Sequence, residues 1–370
     1  MRTSLITSLK ESLKFKSGCG FLPTNYNWTK PACWPELRNI TPNGSISLLI
    51  CDKYPYLDFS ASCTGGYCVT IDGNMYALYD SGAPCHIAIS DISSLGILSD
   101  YPEALTLHTV NITPRNAGGR ISSFKCFAAD TGIKEEQGIL WAHFNIEETI
   151  NLYLAFSRSN MEYTNPMLTA VTAKNNLIKV SSIQETFYLC SMLEYLPAFD
   201  FSHTPSSISA SFYLCSKLKD INLQNTAFTN MYNSFTGAQE IEKINIFAPK
   251  WDKLQTASEF LVNLPKLNIP ILDLSEADLL ESVKCYGNSQ TPMSGFKGLL
   301  VSNKAKFNGS APQIKLDYTG LDKKALKSLF ESLPQVYDSQ KISIIGAEGT
   351  TDLTQEDIAS ATDKGWEVLL

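Results

Sequence analysis

The sequence predicts a mixed α+β chain: an N-terminal antiparallel β-domain, an irregular repeat solenoid and a C-terminal αβ cap. Three observations carry this reading. The run Phe187, Tyr188, Leu189, Cys190, Ser191 returns 25 positions later as Phe212, Tyr213, Leu214, Cys215, Ser216, and an identical phrase at a fixed offset marks an internal repeat. Upstream, short strand-like runs sit between Gly and Pro, which is the texture of an antiparallel β-domain. Downstream, apolar residues fall at helical spacing on either side of one Ile-x-Ile strand.

Residues 1–20 form the first segment. Leu5, Ile6, Leu9 and Leu13 make an apolar stripe opposite Lys10, Glu11 and Lys14, which predicts a short amphipathic helix ending at Gly18 and Gly20. A free helix this short is marginal in water, so it needs a surface: its own domain, a neighbouring subunit or a docking partner. The interrupting charges leave no apolar core for a secretory signal. No apolar run approaches the length that spans a bilayer, so no membrane insertion is expected.

Residues 21–160 are rich in Ser, Thr, Gly, Pro and aromatics, with strand-like runs at 46–51, 67–71 and 105–112. Asp72 and Gly73 between two such runs predict a hairpin turn. Residues 161–310 hold the repeats. Leu168, Val171 and Ala173 share the spacing apolar-x-x-apolar-x-apolar with Leu193, Leu196 and Ala198, with Leu218, Ile221 and Leu223, with Ile241, Ile244 and Ile246, and with Leu264, Leu267 and Ile269. The alternating tail of each unit has the period of a short strand, and one unit cannot bury its own apolar face. This is a leucine-rich-repeat layout. Residues 311–370 form the cap: Leu321, Ala325, Leu326 and Leu329 share one helical face, Asp322 occupies the first turn and Pro334 stops the helix.

The units through 187–216, with Leu196, Pro197, Phe199, Asp200, Phe201 and Ser202 between the two phrases, resemble the BspA-type leucine-rich repeats of bacterial surface proteins and bacteriophage structural proteins. The resemblance covers residues 165–275. The C-terminal order of helix at 321–334, strand at 341–346 and short helix ending in Lys364, Gly365 and Trp366 is similar to the closing module of phage tail proteins carrying such repeats. Trp34 with Pro35, and Ile71, Asp72 and Gly73, match loosely the small β-sandwich that precedes those repeats, without its fuller Trp-Gly-Asp-Gly turn. The resemblance implies a bacteriophage virion protein, assembled in the host cytoplasm among other virion proteins, homo-oligomeric by analogy. Its repeats would face a host cell-surface glycan or protein. A purely structural virion subunit and a bacterial BspA-like adhesin are the alternatives.

With 44% hydrophobic and 18% charged residues in 370, the chain is folded and has room for two or three domains. A net charge of −7 with no long basic run excludes an electrostatic footprint for nucleic acid. The ten cysteines are unevenly spread and imply no oxidised framework; Cys63 and Cys68 stand close enough to form a local pair or to stay free. Cys190 and Cys215, one repeat apart, read as small buried residues in neighbouring rungs, with a disulfide or metal pair as the alternative.

Catalytic chemistry finds little support. His86, His108, His143 and His203 each stand alone, and there is no His-Glu-x-x-His, phosphate-binding Gly loop or Gly-x-Ser-x-Gly elbow. The adjacent pairs Glu135–Glu136 and Glu147–Glu148 diverge on a helix or strand and cannot jointly flank a glycosidic bond. No enzyme activity, catalytic residue, metal or cofactor is expected. The segments 204–209, 225–233 and 249–256 between repeats are rich in Ser, Thr, Asn and aromatics. Tyr232, Phe228 and Trp251 are therefore the candidate surface-binding residues. For Phe228 and Tyr232 a rung-filling core position is the competing reading, the favoured one for Phe228, whereas Lys250, Asp252 and Lys253 around Trp251 predict exposure. Leu5, Ile6, Leu9 and Leu13 are the candidate virion-docking residues.

Overall fold

Alternating burial sets the N-terminal strands: in residues 67–71, Tyr67, Val69 and Ile71 face inward while Cys68 and Thr70 face out. The computed structural model describes residues 29–32, 34–92, 106–127, 136–157 and 163–370; the arm with Leu5, Ile6, Leu9 and Leu13 lies outside them. A short helix, α1 (Leu37–Ile40), precedes β1 (Ser45–Cys51), β2 (Tyr56–Cys63), β3 (Tyr67–Ile71), β4 (Asn74–Tyr79) and β5 (Pro84–Ala88). After α2 (Ile89–Ile92) come β6 (Leu107–Pro114), β7 (Ile121–Cys126), β8 (Ile139–Asn145) and β9 (Ile150–Asn151). Strands β8, β1, β6, β3 and β4 form one antiparallel ladder and β7, β2 and β5 another. Rings meet across the two sheets, Phe59 against Tyr67 and Phe124 against Phe144. Asp72 and Gly73 form the expected two-residue hairpin turn between β3 and β4, with φ of 49° and 81°, the positive pair a type I′ turn requires.

The β-domain is not closed on itself. Both sheets are mixed, because β10 (Ala170–Ala173) adds in parallel to β8 and β9 adds in parallel to β7. From β9 the second sheet runs on through β11 (Leu177–Ser182), β12 (Ala198–Asp200), β14 (Asp220–Gln224) and β16 (Lys243–Phe247), all parallel. A third, wholly parallel sheet is made by β13 (Pro205–Ser207), β15 (Ala227–Asn230), β17 (Thr256–Val262), β19 (Ser282–Tyr286), β21 (Ile314–Lys315), β22 (Gln340–Ser343) and β23 (Trp366–Leu369). A small pair, β18 (Leu272–Leu274) with β20 (Leu299–Val301), completes the strands. The middle of the chain is thus a parallel β-solenoid, and its first coils cover what would be open strand edges of the β-domain.

Between the two solenoid sheets lies a turn face joined from coil to coil by backbone hydrogen bonds. Phe156 N donates to Thr186 O, Phe187 N to Ser211 O, Phe212 N to Ser234 O and Phe235 N to Phe260 O, all at 2.9–3.2 Å. This register stacks the rings: Phe156 on Phe187, Phe187 on Phe212 and Phe212 on Phe235, with centroids 4.9–5.6 Å apart and planes within 17°. Phe260 closes the row edge-on to Phe235. Phe124 packs on Phe156 at the other end, so one hydrophobic core is continuous from the β-domain through the solenoid. Beside each ring stands a buried hydroxyl. Thr186 bonds Leu152 O, while the Ser211 and Ser234 hydroxyls reach carbonyls of their own and the preceding coil.

Two expectations need correction. The segments 204–209, 225–233 and 249–256 do not lie between repeats but belong to them: they carry β13, β15 and the start of β17, because coil-to-coil pairing satisfies their backbone groups. The ladder through Ile244 and Ile246 stops at β16, leaving both half-buried at the sheet edge. Asn268 N still bonds Glu242 O, but Pro270 follows, where the next strand would need a donor it lacks. Cys63 and Cys68 are free thiols and do not pair. Cys190 and Cys215 are also free and fully buried, packed as core residues, with the Cys215 thiol donating to Phe187 O at 3.0 Å.

The cap follows from local signals. In α3 (Lys323–Ser332) the Asp322 carboxylate accepts from Ala325 N, and Leu326, Leu329 and Phe330 are buried. In α4 (Gln355–Thr362) Thr354 and Asp357 form a reciprocal capping box. Asp357 also ties the two helices together, with Lys323 Nζ at 2.8 Å and Lys327 Nζ at 2.7 Å. Trp366 is buried against Phe307 and donates to Pro334 O.

Two expectations for measurement arise here. Phe187→Ala, which removes the ring shared by three neighbours, should cost about 3–5 kcal/mol; urea unfolding should show one transition at lower denaturant, since the core is continuous. The hydrogen bonds from Lys323, Lys327 and Thr354 hold the Asp357 carboxyl well below the usual carboxylate range. Its contribution is therefore complete above an unfolded value of about 3.9 and is lost as pH falls through the depressed folded value. Asp357→Asn should lower the midpoint of thermal unfolding at pH 7 and make that midpoint less sensitive to acid below about pH 4.

Candidate binding surface

The turn face repeats a local backbone as well as a core. Residues four apart adopt the left-handed region in four successive coils: Glu185 and Leu189, Ala210 and Leu214, Asn233 and Gly237, Glu259 and Asn263, with φ between 53° and 73°. Such conformations cost about 1–2 kcal/mol at a non-Gly residue, and the coil-to-coil hydrogen bonds of Glu185, Leu189, Ala210, Leu214 and Gly237 hold them in place. Gly237 carries a further constraint, because a Cβ there would lie 2.4 Å from the Leu214 side chain.

This periodic backbone delivers side chains to solvent in columns. The position after each stacked ring is Tyr188 in one coil and Tyr213 in the next, and their rings lie parallel, 4.8 Å apart with planes 4° off. Three positions before a ring stand Tyr153 and Tyr232, 40% and 43% exposed. In β19, Tyr286 continues the surface, with Lys315 Nζ 3.9 Å from its ring centroid. Burial, and then neighbouring carboxylates and phenols, push the hydroxyls of Tyr153, Tyr188, Tyr232 and Tyr286 upward. Glu185 acts on Tyr153 and Tyr188, and Glu259 on Tyr232 and Tyr286. At neutral pH these phenols stay protonated and can donate. The surface therefore offers aromatic faces and edges, hydroxyl donors and, from Glu185 and Glu259, carboxylate acceptors.

Of the three residues selected from the sequence, only Tyr232 belongs to this surface. Phe228 is fully buried, edge-on to Phe201 at 5.1 Å. Trp251 is 7% exposed, which overturns its expected exposure. It covers Phe228 with centroids 6.5 Å apart, while Lys250, Asp252 and Lys253 alone reach solvent. The flanking charges mark a turn and say nothing of the indole between them. Tyr153, Tyr188, Tyr213 and Tyr286 escaped the sequence reading. A usable signal exists, an apolar residue four places before each ring: Leu152 and Phe156, Ile183 and Phe187, Ile208 and Phe212, Met231 and Phe235. It extends the repeat upstream and singles out the positions around the ring.

Several titratable groups elsewhere have protein partners. His86 bonds Asp58, and the buried His108 lies 2.7 Å from Asp72. Burial opposes ionisation of Asp72, but hydrogen bonds from His108 and Thr109 outweigh it and keep its pKa low. Glu147 pairs with Lys174 and Glu148 with Arg120 on the surface. Among the described residues no group of three His, Cys, Asp or Glu could hold a metal ion, and no helix is long and apolar enough to cross a membrane.

Two substitutions separate the buried aromatic from the exposed one. Trp251→Ala should destabilise by about 3–5 kcal/mol, whereas Tyr232→Ala should stay within about 0.5 kcal/mol of the parent; equilibrium urea unfolding reads both. No protein family, curated protein or solved structure compared with this chain matches it.

Proposed function

We propose that this chain is a bacteriophage virion protein whose solenoid binds a glycan on the host cell surface. The observation that carries the binding half is the tyrosine surface: two parallel rings flanked by exposed Tyr153 and Tyr232, repeated at coil spacing on a rigid backbone. Tyrosine supplies large contact area at small entropic cost, together with a polar tip. With Glu185 and Glu259 alongside, the surface suits uncharged sugar hydroxyls and repels anions. The virion half rests on the resemblance of residues 165–275 and of the C-terminal module to phage proteins. The chain acts in this reading as an adhesin of the particle, with other virion proteins as partners, and carries out no reaction.

A purely structural virion subunit is the second reading, favoured by the edge strand β4. Met75, Tyr76 and Leu78 on that strand are 63%, 39% and 53% exposed, the kind of apolar edge that a neighbouring subunit covers.

Adsorption competition distinguishes the two. The full chain, labelled, should bind candidate host cells saturably and block phage attachment. The combined Tyr188→Ala, Tyr213→Ala and Tyr232→Ala variant should lose at least about tenfold in cell affinity with an unchanged far-UV spectrum. Absence of cell binding, with the protein present in purified particles, would instead support the structural subunit.

A further inference from the structure

Where the β-domain meets the first solenoid coil, the surface opens into a cleft of about 560 Å³, lined by Arg38, Asn43, His143, Asn145, Ala173, Lys174, Asn175, Asn176 and Tyr195. The sequence reading placed Ala173 in the first repeat unit and left His143 as a lone histidine; the other lining residues had no role in it. They come from α1, the loop before β1, the end of β8, the turn between β10 and β11, and the coil before β12. The size is that of a small-molecule site, but the lining is not. Four carboxamides, an imidazole, two cations and a phenol surround it, and no carboxylate is among the lining residues.

The polar groups are held in place. Thr172, fully buried, receives the Trp141 indole N–H at 2.8 Å and lies 2.8 Å from His143 Nδ1. The hydroxyl has one hydrogen and no other acceptor among the described residues, so it donates to Nδ1 and leaves His143 with its proton on Nε2. Burial, with Arg38 adding to it, lowers the His143 pKa to about 4, so the ring is uncharged at neutral pH. Asn145 Nδ2 donates to Thr41 O at 3.0 Å and to Asn43 Oδ1 at 3.3 Å. Among the described residues this leaves Asn145 Oδ1 and Asn43 Nδ2 without a partner. Tyr195 donates to Asn176 Oδ1 at 2.6 Å, fixing that carboxamide. Asn175 and Asn176 are both left-handed, at 55° and 54°, a conformation Asn tolerates better than other side chains.

Charge then selects the ligand. Lys174 is committed to Glu147 at 2.6 Å. Arg38 is exposed and makes no ion pair among the described residues. One unmatched guanidinium faces a cleft of carboxamides, each a donor and acceptor pair suited to neighbouring hydroxyls. The guanidinium fork matches a carboxylate in bidentate fashion. We infer that this junction cleft is a second binding site, for a single acidic sugar residue whose carboxylate meets Arg38 and whose hydroxyls meet Asn43, Asn145, Asn175 and the His143 Nε2–H. The site is independent of the tyrosine surface and of the virion reading.

Isothermal titration of the full chain with D-glucuronate, methyl glucoside and inorganic phosphate tests it. D-glucuronate should bind with 1:1 stoichiometry, at least tenfold more tightly than either methyl glucoside or phosphate. Arg38→Gln should weaken glucuronate at least tenfold while leaving thermal unfolding unchanged, since Arg38 is exposed; Asn43→Ala should weaken it by a smaller factor. Tyr213→Ala should leave glucuronate binding untouched, which keeps this test separate from that of the tyrosine surface. Equal affinity for methyl glucoside, full displacement by phosphate at equal concentration, no binding at millimolar glucuronate, or an Arg38→Gln protein that binds as the parent does would each overturn the assignment.

Discussion

The stack of Phe156, Phe187, Phe212 and Phe235 is the constraint on which the rest of the chain depends. Each ring contributes its own burial and a further 0.5–1.5 kcal/mol, roughly, from its aromatic neighbour, but only if successive coils keep one register. The backbone bonds from each ring's N–H to the next coil supply that register, and the hydroxyls of Thr186, Ser211 and Ser234 satisfy the carbonyls beside it. A coil out of register would lose ring contact, backbone pairing and hydroxyl partner together. That coupling explains why two coils retain an identical five-residue phrase although the intervening segments diverge.

The same constraint produces the outward surface. When inner positions must superpose from coil to coil, the positions beside them superpose as well, so Tyr188 and Tyr213 are parallel because Phe187 and Phe212 are. Where the stack changes, the surface changes. Phe260 turns edge-on to Phe235, and the tyrosine surface is carried on by Tyr286 from β19, with Lys315 against its ring. Binding chemistry on this scaffold is thus a by-product of core periodicity, tuned by the few outward residues that the core does not dictate.

Continuity of the core also alters what a domain means in this chain. Tyr67, Phe59 and Phe124 of the β-domain lead directly to Phe156 and the solenoid stack, and β9 and β10 extend the β-domain sheets. The β-domain therefore acts as a leading cap for the repeats, much as α3, α4 and β23 close the other end. The junction holds two consecutive left-handed asparagines and an oriented histidine. That is the cleft to which the acidic sugar residue is assigned.

The sequence by itself determined what depends on nearest neighbours along the chain. The repeat spacing, the Asp72–Gly73 hairpin, the cap helix that Asp322 opens and the buried thiols of Cys190 and Cys215 were legible because local periodicity, turn chemistry and small apolar size suffice to specify them. Tertiary structure alone decided the rest. Whether Trp251 faces solvent or covers Phe228 depends on a strand one coil away, and whether the ladder passes Ile244 depends on Pro270 in the following coil. The junction cleft gathers Arg38, Asn43, His143, Asn145, Asn175, Asn176 and Tyr195 from four separated stretches of chain. No spacing rule joins such residues, because their proximity is set by how the coils and sheets pack and not by any local backbone geometry.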